Sequence, residues 1–401
     1  MPRQQWWLAA VVFAAFLAAF AHQSFGYGAT DWEKVFVPAS QRYLAGESIF
    51  SADFVYPPFA VLLGVPCTAI GPNGVKLWVW MTSAAGATAI VCCSWWFAGG
   101  ILQVKPSAKE LAIAAIGLMS FLGYVFEVLV NRQVDLIIGG LLIAGLWLHR
   151  KRWWLGAALV GLAAAFKGPP LLFLIYFSVL GRWRSMLLML AMAVGANLLP
   201  DLLKPDPNGT LRFASWIESY VLPLASSSKK PGEWAAAPWA NHSLSGWMLR
   251  ITSFEPGDAT LGTSEQPRDG APDSRSLKLM LTAIASPLIV AWLLTVRRWK
   301  DENLAAPAGA GFCLMLLLSP MSSKPHFCLL ALPAWVVARA GWNPRTRWLL
   351  ALAIAAGLCH LSSAKDLVGP AINSLAMWYG AVPVGTLLLF AGCVSISRSG
   401  E

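Results

Sequence analysis

Charge is what this chain is short of. Only 12% of its 401 residues are Asp, Glu, Lys or Arg, against 57% hydrophobic residues and a mean hydropathy of +0.58. A soluble domain carries about 25% charged residues, so a water-facing surface of that kind cannot be covered here. Cysteine shows no pattern. The seven (Cys67, Cys92, Cys93, Cys313, Cys328, Cys359, Cys393) have no CxxC or CxxH spacing, and most lie in apolar runs, where Cys behaves as a small hydrophobe. Neither a zinc site nor a disulfide framework is supported. No small-residue cleavage site follows the apolar stretch from Trp6 to Ala21, so an uncleaved first helix is expected rather than a signal peptide. No internal repeat is found, which argues against transporters built from inverted repeats.

What is present is a series of apolar runs long enough to cross a hydrocarbon core of roughly 30 Å. The net charge of +10 sits in short clusters between those runs, the pattern of basic cytoplasmic loops and not of a nucleic-acid surface. The clusters are Lys105 with Lys109, His149-Arg150-Lys151-Arg152, Arg182 with Arg184, Arg297-Arg298 with Lys300, Arg339 with Arg345 and Arg347, and Arg398. One segment, 57–72, decides the parity of the map. Were it to cross, every cluster would face outward. Its prolines (Pro57, Pro58, Pro66, Pro72) suit a short interfacial helix better than a span.

The expected fold is therefore an all-α polytopic membrane protein of about twelve spans with both termini cytoplasmic. Spans are expected near 6–23, 76–101, 110–130, 134–148, an up-and-down pair within 153–181, 185–203, 277–296, 304–319, 327–341, 347–362 and 374–396. Two extracytoplasmic loops stand out, 24–75 with interfacial helices and 204–276, inside a single domain over 1–401. Each leg of the 153–181 pair has about fourteen residues and reaches only about 21 Å. Its tip, Lys167-Gly168-Pro169-Pro170, should then lie below the outer surface in a cavity.

On this map the unusual polar residues collect outside: Asp31, Glu33, Lys34, Arg42 and Tyr56 in the first loop, and Glu127, Asn131, Arg132, Gln133 and Asp135 at the turn near 131–135. Lys167, Asn241-His242-Ser243 and Ser322-Ser323-Lys324-Pro325-His326 complete the set. Glu127 and Asn131 are four apart and share a helix face.

Four stretches carry a resemblance. They are DWEKVFVPASQRYLAGESIFSADFVYPPFAVLL, NRQVDLIIGGLLIAGLWLHRKRWWLGAALVGLAAAFKGPPLLF, NHSLSGWMLR and LLLSPMSSKPHFCLLALPAW. In that order they resemble the first outer loop, the Gln-containing turn with its Lys hairpin, the Asn-Gln-Ser-Leu-type segment and the Ser-Pro…His motif of glycosyltransferase family 87. Three positions depart from the pattern: Asp135 stands where Asn is expected, His242 where Gln is commoner, and Lys324 precedes a single His.

The resemblance implies a GT-C fold and a hexosyltransferase of the plasma membrane. Its active site would be extracytoplasmic, its donor a polyprenyl-phosphate sugar with mannose favoured, and its acceptor a glycolipid or glycan among membrane lipids. It places the catalytic acid just after the first span, so Asp31 is expected as general base of an inverting displacement. The competing reading has Asp31 capping the helix that begins near Trp32. For the leaving phosphate the candidates are Lys167, Lys324 and His326, with Arg132 behind them. Their plain alternatives are a snorkelling Lys167, a hairpin-capping His326, and an Arg132 paired with Asp135 or Glu127. Glu33, Tyr56, Glu127, Asn131, Gln133, Asn241 and His242 are candidates for sugar or acceptor contact, His242 being read as a loop histidine in a solvated segment. Trp32, Trp216, Trp234 and Trp239 lie in the outer loops, where an indole can stack on a sugar. No Asp-x-Asp pair stands in the outer loops, so no cofactor or metal is expected, and no glycine-rich loop suggests a nucleotide-sugar donor. A polysaccharide polymerase or ligase is the rival and would place key arginines, Arg212 or Arg250, in the long loop. A secondary transporter comes after it.

Overall fold

The structure is a computed structural model and describes residues 3–26, 30–50, 54–225, 230–233, 240–256, 266–299 and 304–396. Trp234, Trp239, Lys300 and Arg398 lie outside the described residues. Helices carry the chain: α1 (Arg3–Gly26), α2 (Val37–Ala45), α3 (Gly71–Phe97), α4 (Ala108–Asn131), α5 (Asp135–His149), α6 (Trp153–Phe166), α7 (Leu172–Val179) and α8 (Trp183–Leu203). They continue with α9 (Leu244–Ser253), α10 (Ser274–Arg298), α11 (Ala305–Leu318), α12 (Ala331–Ala340), α13 (Arg347–Leu361), α14 (Pro370–Trp378) and α15 (Ala381–Ser395). The strands among the described residues are one antiparallel pair, Phe254–Glu255 with Gln266–Pro267.

Among the described residues five helices are long and apolar enough to cross a membrane, Gln4–His22 within α1, then α3, α4, α8 and α10; α14 with α15, bent by 60°, makes a sixth if counted as one span. The segment after Pro57 does not form a long helix. It breaks into the turns Pro58–Ala60, Val61–Gly64 and Pro66–Thr68, because its prolines remove backbone donors and crowd the preceding turn. The hairpin of 153–181 has short legs, α6 and α7, joined by a tight turn at Pro169–Leu171.

The chain divides into two compact units, one of residues 1–96, 101–104 and 125–225, the other of 97–100, 105–124 and 226–401. The expected long loop 204–276 therefore contributes to both: its first part, through Ala225, belongs to the first unit and the rest to the second.

Within the first unit small residues let helices approach backbone to backbone. A Cβ on Gly86 of α3 would lie 2.3 Å from the Leu136 carbonyl of α5, and one on Gly156 of α6 would lie 2.5 Å from the Gly145 carbonyl of α5. In lipid, where no hydrophobic force separates helix from solvent, this close contact is what holds helices together. The first loop is fastened onto that bundle by polar groups. Asn197 of α8 accepts from the Phe59 N–H at 3.0 Å and donates to the Ala165 carbonyl at 3.3 Å, joining three segments with one side chain. Tyr43 of α2 donates to the Pro200 carbonyl at 2.8 Å, and the Arg212 guanidinium stands 5.3 Å over its ring. Trp216 donates its indole N–H to the Val55 carbonyl at 3.0 Å, so the segment 212–221 lies against residues 54–55.

In the second unit Gly117 of α4 meets the Trp335 ring of α12, and Gly392 of α15 meets Val337 of α12; a Cβ would clash at 2.2 and 2.7 Å. Glu110 and Arg339 form a two-pronged ion pair at 2.8 Å for each oxygen.

Candidate active site

Just before the acid, the spacing Thr30-x-x-Glu33 supplies one half of a capping box, the Glu33 carboxylate reaching back to the Thr30 N–H. The Thr30 N–H and hydroxyl both donate to Glu33 Oε2, each at 3.0 Å. Asp31 sits one residue inside, at φ −54° and ψ −36°, and its side chain makes no cap hydrogen bond. The capping alternative for Asp31 therefore fails: its side chain makes no cap bond, and the carboxylate is left to other partners. The wide helical turn that follows, Trp32–Phe36, buries Trp32 and Phe36 completely and fixes the direction in which the acid leaves the backbone. Buried Trp32 is a core residue and not a surface for stacking a sugar.

Opposite stands the end of α4. The Arg132 N–H donates to the Leu129 carbonyl at 3.1 Å and the Gln133 N–H to the Val128 carbonyl at 2.9 Å, the paired bonds of a Schellman ending. That ending requires a left-handed residue, ordinarily Gly. Here it is Arg132, at φ 47°, where an L side chain costs roughly 1–2 kcal/mol. The guanidinium is 1% exposed and forms an ion pair with Glu33. Glu33, a partner the sequence reading did not foresee, lies 99 residues away in the chain and so left no local trace.

Gln133 hydrogen-bonds the Asp31 carboxylate. Burial pushes the Asp31 carboxyl above the usual carboxylate range and the charge of Asp135 adds to this, against the Gln133 bond and the nearby Lys167 and Lys34. An acid so placed holds a proton more readily than a solvated one, as a base at a displacement must. The carbonyl oxygen of Gln133 is buried with no hydrogen-bond partner among the described residues.

Asp135, the first residue of α5, pairs with Lys167 Nζ at 2.8 Å, and the ammonium stands 5.9 Å from the centroid of Tyr56. Lys167 reaches this place because α6 ends at Phe166 and the backbone turns extended there. Tyr56 packs on Phe36 at 4.9 Å and Phe54 at 5.8 Å between ring centroids. Burial first, then the charges of Asp135 and Asp31, hold its hydroxyl well above the ordinary phenol range, so Tyr56 stays a hydrogen-bond donor at neutral pH. Asn131 donates to the Glu127 carbonyl at 3.0 Å, on the shared helix face. The first unit thus gathers Asp31, Glu33, Tyr56, Arg132, Gln133, Asp135 and Lys167.

The second unit holds the remaining candidates. Asn241 donates to the carbonyls of Gly232 and Pro320, at 3.2 and 2.8 Å, and accepts from the N–H groups of Ser243 and Ser322, at 3.1 and 3.0 Å. All four hydrogen-bonding positions of the amide are filled, which leaves nothing for a sugar; Asn241 staples two loops. His242 is 2% exposed, contrary to the expectation of a solvated loop histidine. Burial, reinforced by Arg250, Lys324 and His326, holds its pKa well below the usual imidazole range, so it is neutral. His326 accepts from the Ser323 N–H at 3.2 Å, so the hairpin-cap alternative describes its geometry. Lys324 donates to the Ser363 carbonyl at 2.8 Å.

The long-loop arginines are both internal. Arg212 donates to Asp201 at 2.6 Å and to the Lys204 carbonyl at 2.7 Å. Arg250 donates to the carbonyls of Trp378, Met377 and Asn241 at 3.2, 3.1 and 3.2 Å.

A family model described as glycosyltransferase family 87 matches residues 54–320, about two-thirds of the chain. The chain belongs to glycosyltransferase family 87. This membrane glycosyltransferase accordingly takes a sugar donor and an acceptor as substrates. The family match takes in Tyr56, Glu127, Asn131, Arg132, Gln133, Lys167, Asn241 and His242, whereas Asp31, Glu33, Lys324 and His326 lie outside it. A search of curated proteins and one of solved structures returned no match. Two features of the candidate site in this family-87 chain escaped the sequence reading. The Thr-x-x-Glu spacing was available as a signal; the Asp135–Lys167 pair was not, because its partners are 32 residues apart on different helices.

Proposed function

We propose that this glycosyltransferase moves a hexose, mannose by preference, from a polyprenyl-phosphate sugar to a glycolipid or glycan at the extracytoplasmic face of the plasma membrane. The observation that carries the reading is the half-buried Asp31 carboxylate, relieved of capping and held by Gln133 beside Lys167. The acceptor hydroxyl gives its proton to Asp31 as its oxygen attacks the anomeric carbon. The bond from that carbon to the phosphate oxygen breaks with its electron pair on oxygen, and configuration inverts. The departing lipid phosphate needs positive charge, and Lys167 meets it as a point charge on a flexible stem. Tyr56 donates to a sugar oxygen, and the open carbonyl of Gln133 accepts from a sugar or acceptor hydroxyl.

The wider frame is one GT-C-like membrane domain over 1–401, with about twelve spans and cytoplasmic termini, a threading chosen because it assigns every basic cluster of the sequence to the cytoplasm. Lys324 and His326 are the second pair of candidates for the lipid phosphate. The polymerase or ligase reading loses its footing on the long-loop arginines, since Arg212 and Arg250 face inward to structural partners.

The test incubates purified protein with polyprenyl-phosphate-mannose and a membrane extract, then analyses the labelled product. Transfer by the wild type and its loss in Asp31→Asn are expected. A folded protein that transfers from no polyprenyl phosphosugar overturns the reading. Flux of substrate into proteoliposomes with no new glycosidic bond would favour a transporter instead.

A further inference from the structure

Arg132 was expected to hold phosphate, yet its geometry points elsewhere. It is a non-glycine residue in the left-handed region, at a helix ending where Gly would avoid the strain. Its side chain is 1% exposed and engaged with Glu33. A cation meant to greet an incoming lipid phosphate should face the space that the phosphate enters. What the strained backbone does secure is register. Residues 132 and 133 of the turn meet residues 33 and 31 of the first loop, one by ion pair and one by hydrogen bond. Glu33 in turn holds Thr30 through its second oxygen, so one carboxylate ties Arg132 to the residue that precedes Asp31.

We infer that Arg132 is a positioning residue: it grips Glu33 so that Gln133, next in the chain, meets the Asp31 carboxylate in working geometry. Glu33, for its part, is the anchor of this clamp and not a sugar contact. The inference rests on the proposed role of Asp31 as base. A clamp of this kind acts on the reaction step and leaves donor binding alone, because misplacing a catalytic group costs rate more than affinity.

The test compares Arg132→Gly, Arg132→Lys, Glu33→Gln and Gln133→Leu. Glycine suits the left-handed turn, so Arg132→Gly removes the grip while keeping the helix ending; Arg132→Lys keeps a cation and guards against misfolding of the other variants. Two readouts are taken. The first is kcat and donor KM with a polyprenyl-phosphate sugar. The second is infrared titration of the Asp31 carboxyl, isolated by subtracting the Asp31→Asn spectrum, which needs no activity. The groups facing Asp31 are Asp135, Lys167, Lys34, Tyr56 and Gln133. Of these Gln133 donates to the ionised form, so its removal moves protonation to higher pH.

The expected result is a fall of about 10²-fold in kcat for Arg132→Gly, with donor KM within about twofold. Its Asp31 titration should move upward as in Gln133→Leu, with Glu33→Gln moving the same way and Arg132→Lys staying near wild type. A donor KM that rises about tenfold at unchanged kcat would show uniform binding lost and return Arg132 to the phosphate. An Asp31 titration that moves in Gln133→Leu but not in Arg132→Gly also refutes the clamp. If the wild type transfers no sugar, the functional reading falls and the infrared titration still decides the clamp.

Discussion

Replacing Asp31 by Asn separates a charge effect from a capping effect, and the two predict opposite signs. Folding raises the Asp31 carboxyl above its usual range, chiefly through burial. A group whose folded pKa is raised contributes stability that is complete below its unfolded pKa, near 3.9, and is lost as pH rises through the folded value. At neutral pH the ionised acid is therefore a liability, of about 1.4 kcal/mol for each unit of elevation. Asn keeps the shape and an acceptor for Gln133 but removes the charge, so Asp31→Asn should melt higher than wild type at pH 8. The gap should close as pH falls toward 4. Asp31→Ala sharpens the comparison. Were Asp31 the helix cap, this change would destabilise by about 1 kcal/mol at every pH; with no cap bond from its side chain, it should not. Thermal melting in detergent at four pH values gives the stability, and transfer of labelled sugar gives the activity, expected to fall by about 10²–10⁴-fold. A variant that melts lower at pH 8, with a gap that ignores pH, refutes the burial argument. Full activity in Asp31→Asn refutes the base.

Lys167→Met should destabilise by about 3–5 kcal/mol, since it leaves Asp135 buried beside no ammonium. Lys167→Met with Asp135→Asn should recover most of that stability in chemical denaturation but not the transfer, which parts the structural role of the pair from its chemical one. Arg212→Ala should cost a similar amount, seen as loss of folded protein in detergent, because it takes the guanidinium from Asp201, which is 8% exposed. Gly156→Ala should lower the melting temperature by overpacking α5 against α6, at about 1–3 kcal/mol, since its Cβ has the Gly145 carbonyl at 2.5 Å.

The helices were legible because each is an apolar run bounded by charge or proline. Every expected span has a helix at its place, and the short legs of the 153–181 hairpin follow from counting residues between Arg152 and Arg182. The broken segment after Pro57 was legible for the same local reason. The candidacy of Asp31 followed from the resemblance, and the bond from Thr30 to Glu33 was encoded within four residues. What the sequence did not reveal depends on distance along the chain. Arg132 with Glu33, Asp135 with Lys167, and Asn241 with Pro320 and Ser322 join segments 32 to 99 residues apart, and no local pattern selects among the several carboxylates that Arg132 could have met. Asn241-His242-Ser243 looked solvated because small polar residues usually mark a loop in water; tertiary hydrogen bonds to Ser322 and Gly232 buried them instead.

The fate of the cations divides by side chain, and that division bears on the chemistry. Three arginines are almost wholly buried, and each spends its donors on protein: Arg132 on Glu33, Arg212 on Asp201 and the Lys204 carbonyl, Arg250 on the carbonyls ending α14. A guanidinium has five donors in a rigid fork and is weakly hydrated, so it can brace two or three acceptors away from water. The helix end that Arg250 binds is also where the partial negative charge of a helix collects, which favours a cation there. Lys167 is different. It keeps 21% of its side chain exposed, meets the Asp135 carboxylate at 2.8 Å, and carries its charge on a four-carbon stem. For Arg132 to hold a phosphate it must abandon Glu33 and unlock the turn that places Gln133. For Lys167 to do so it need only rotate from Asp135 toward the incoming anion, with the Tyr56 ring beneath it throughout. In the first unit Arg132 and Arg212 therefore belong to the frame, and on the proposed mechanism Lys167 is the cation able to follow charge onto a leaving phosphate.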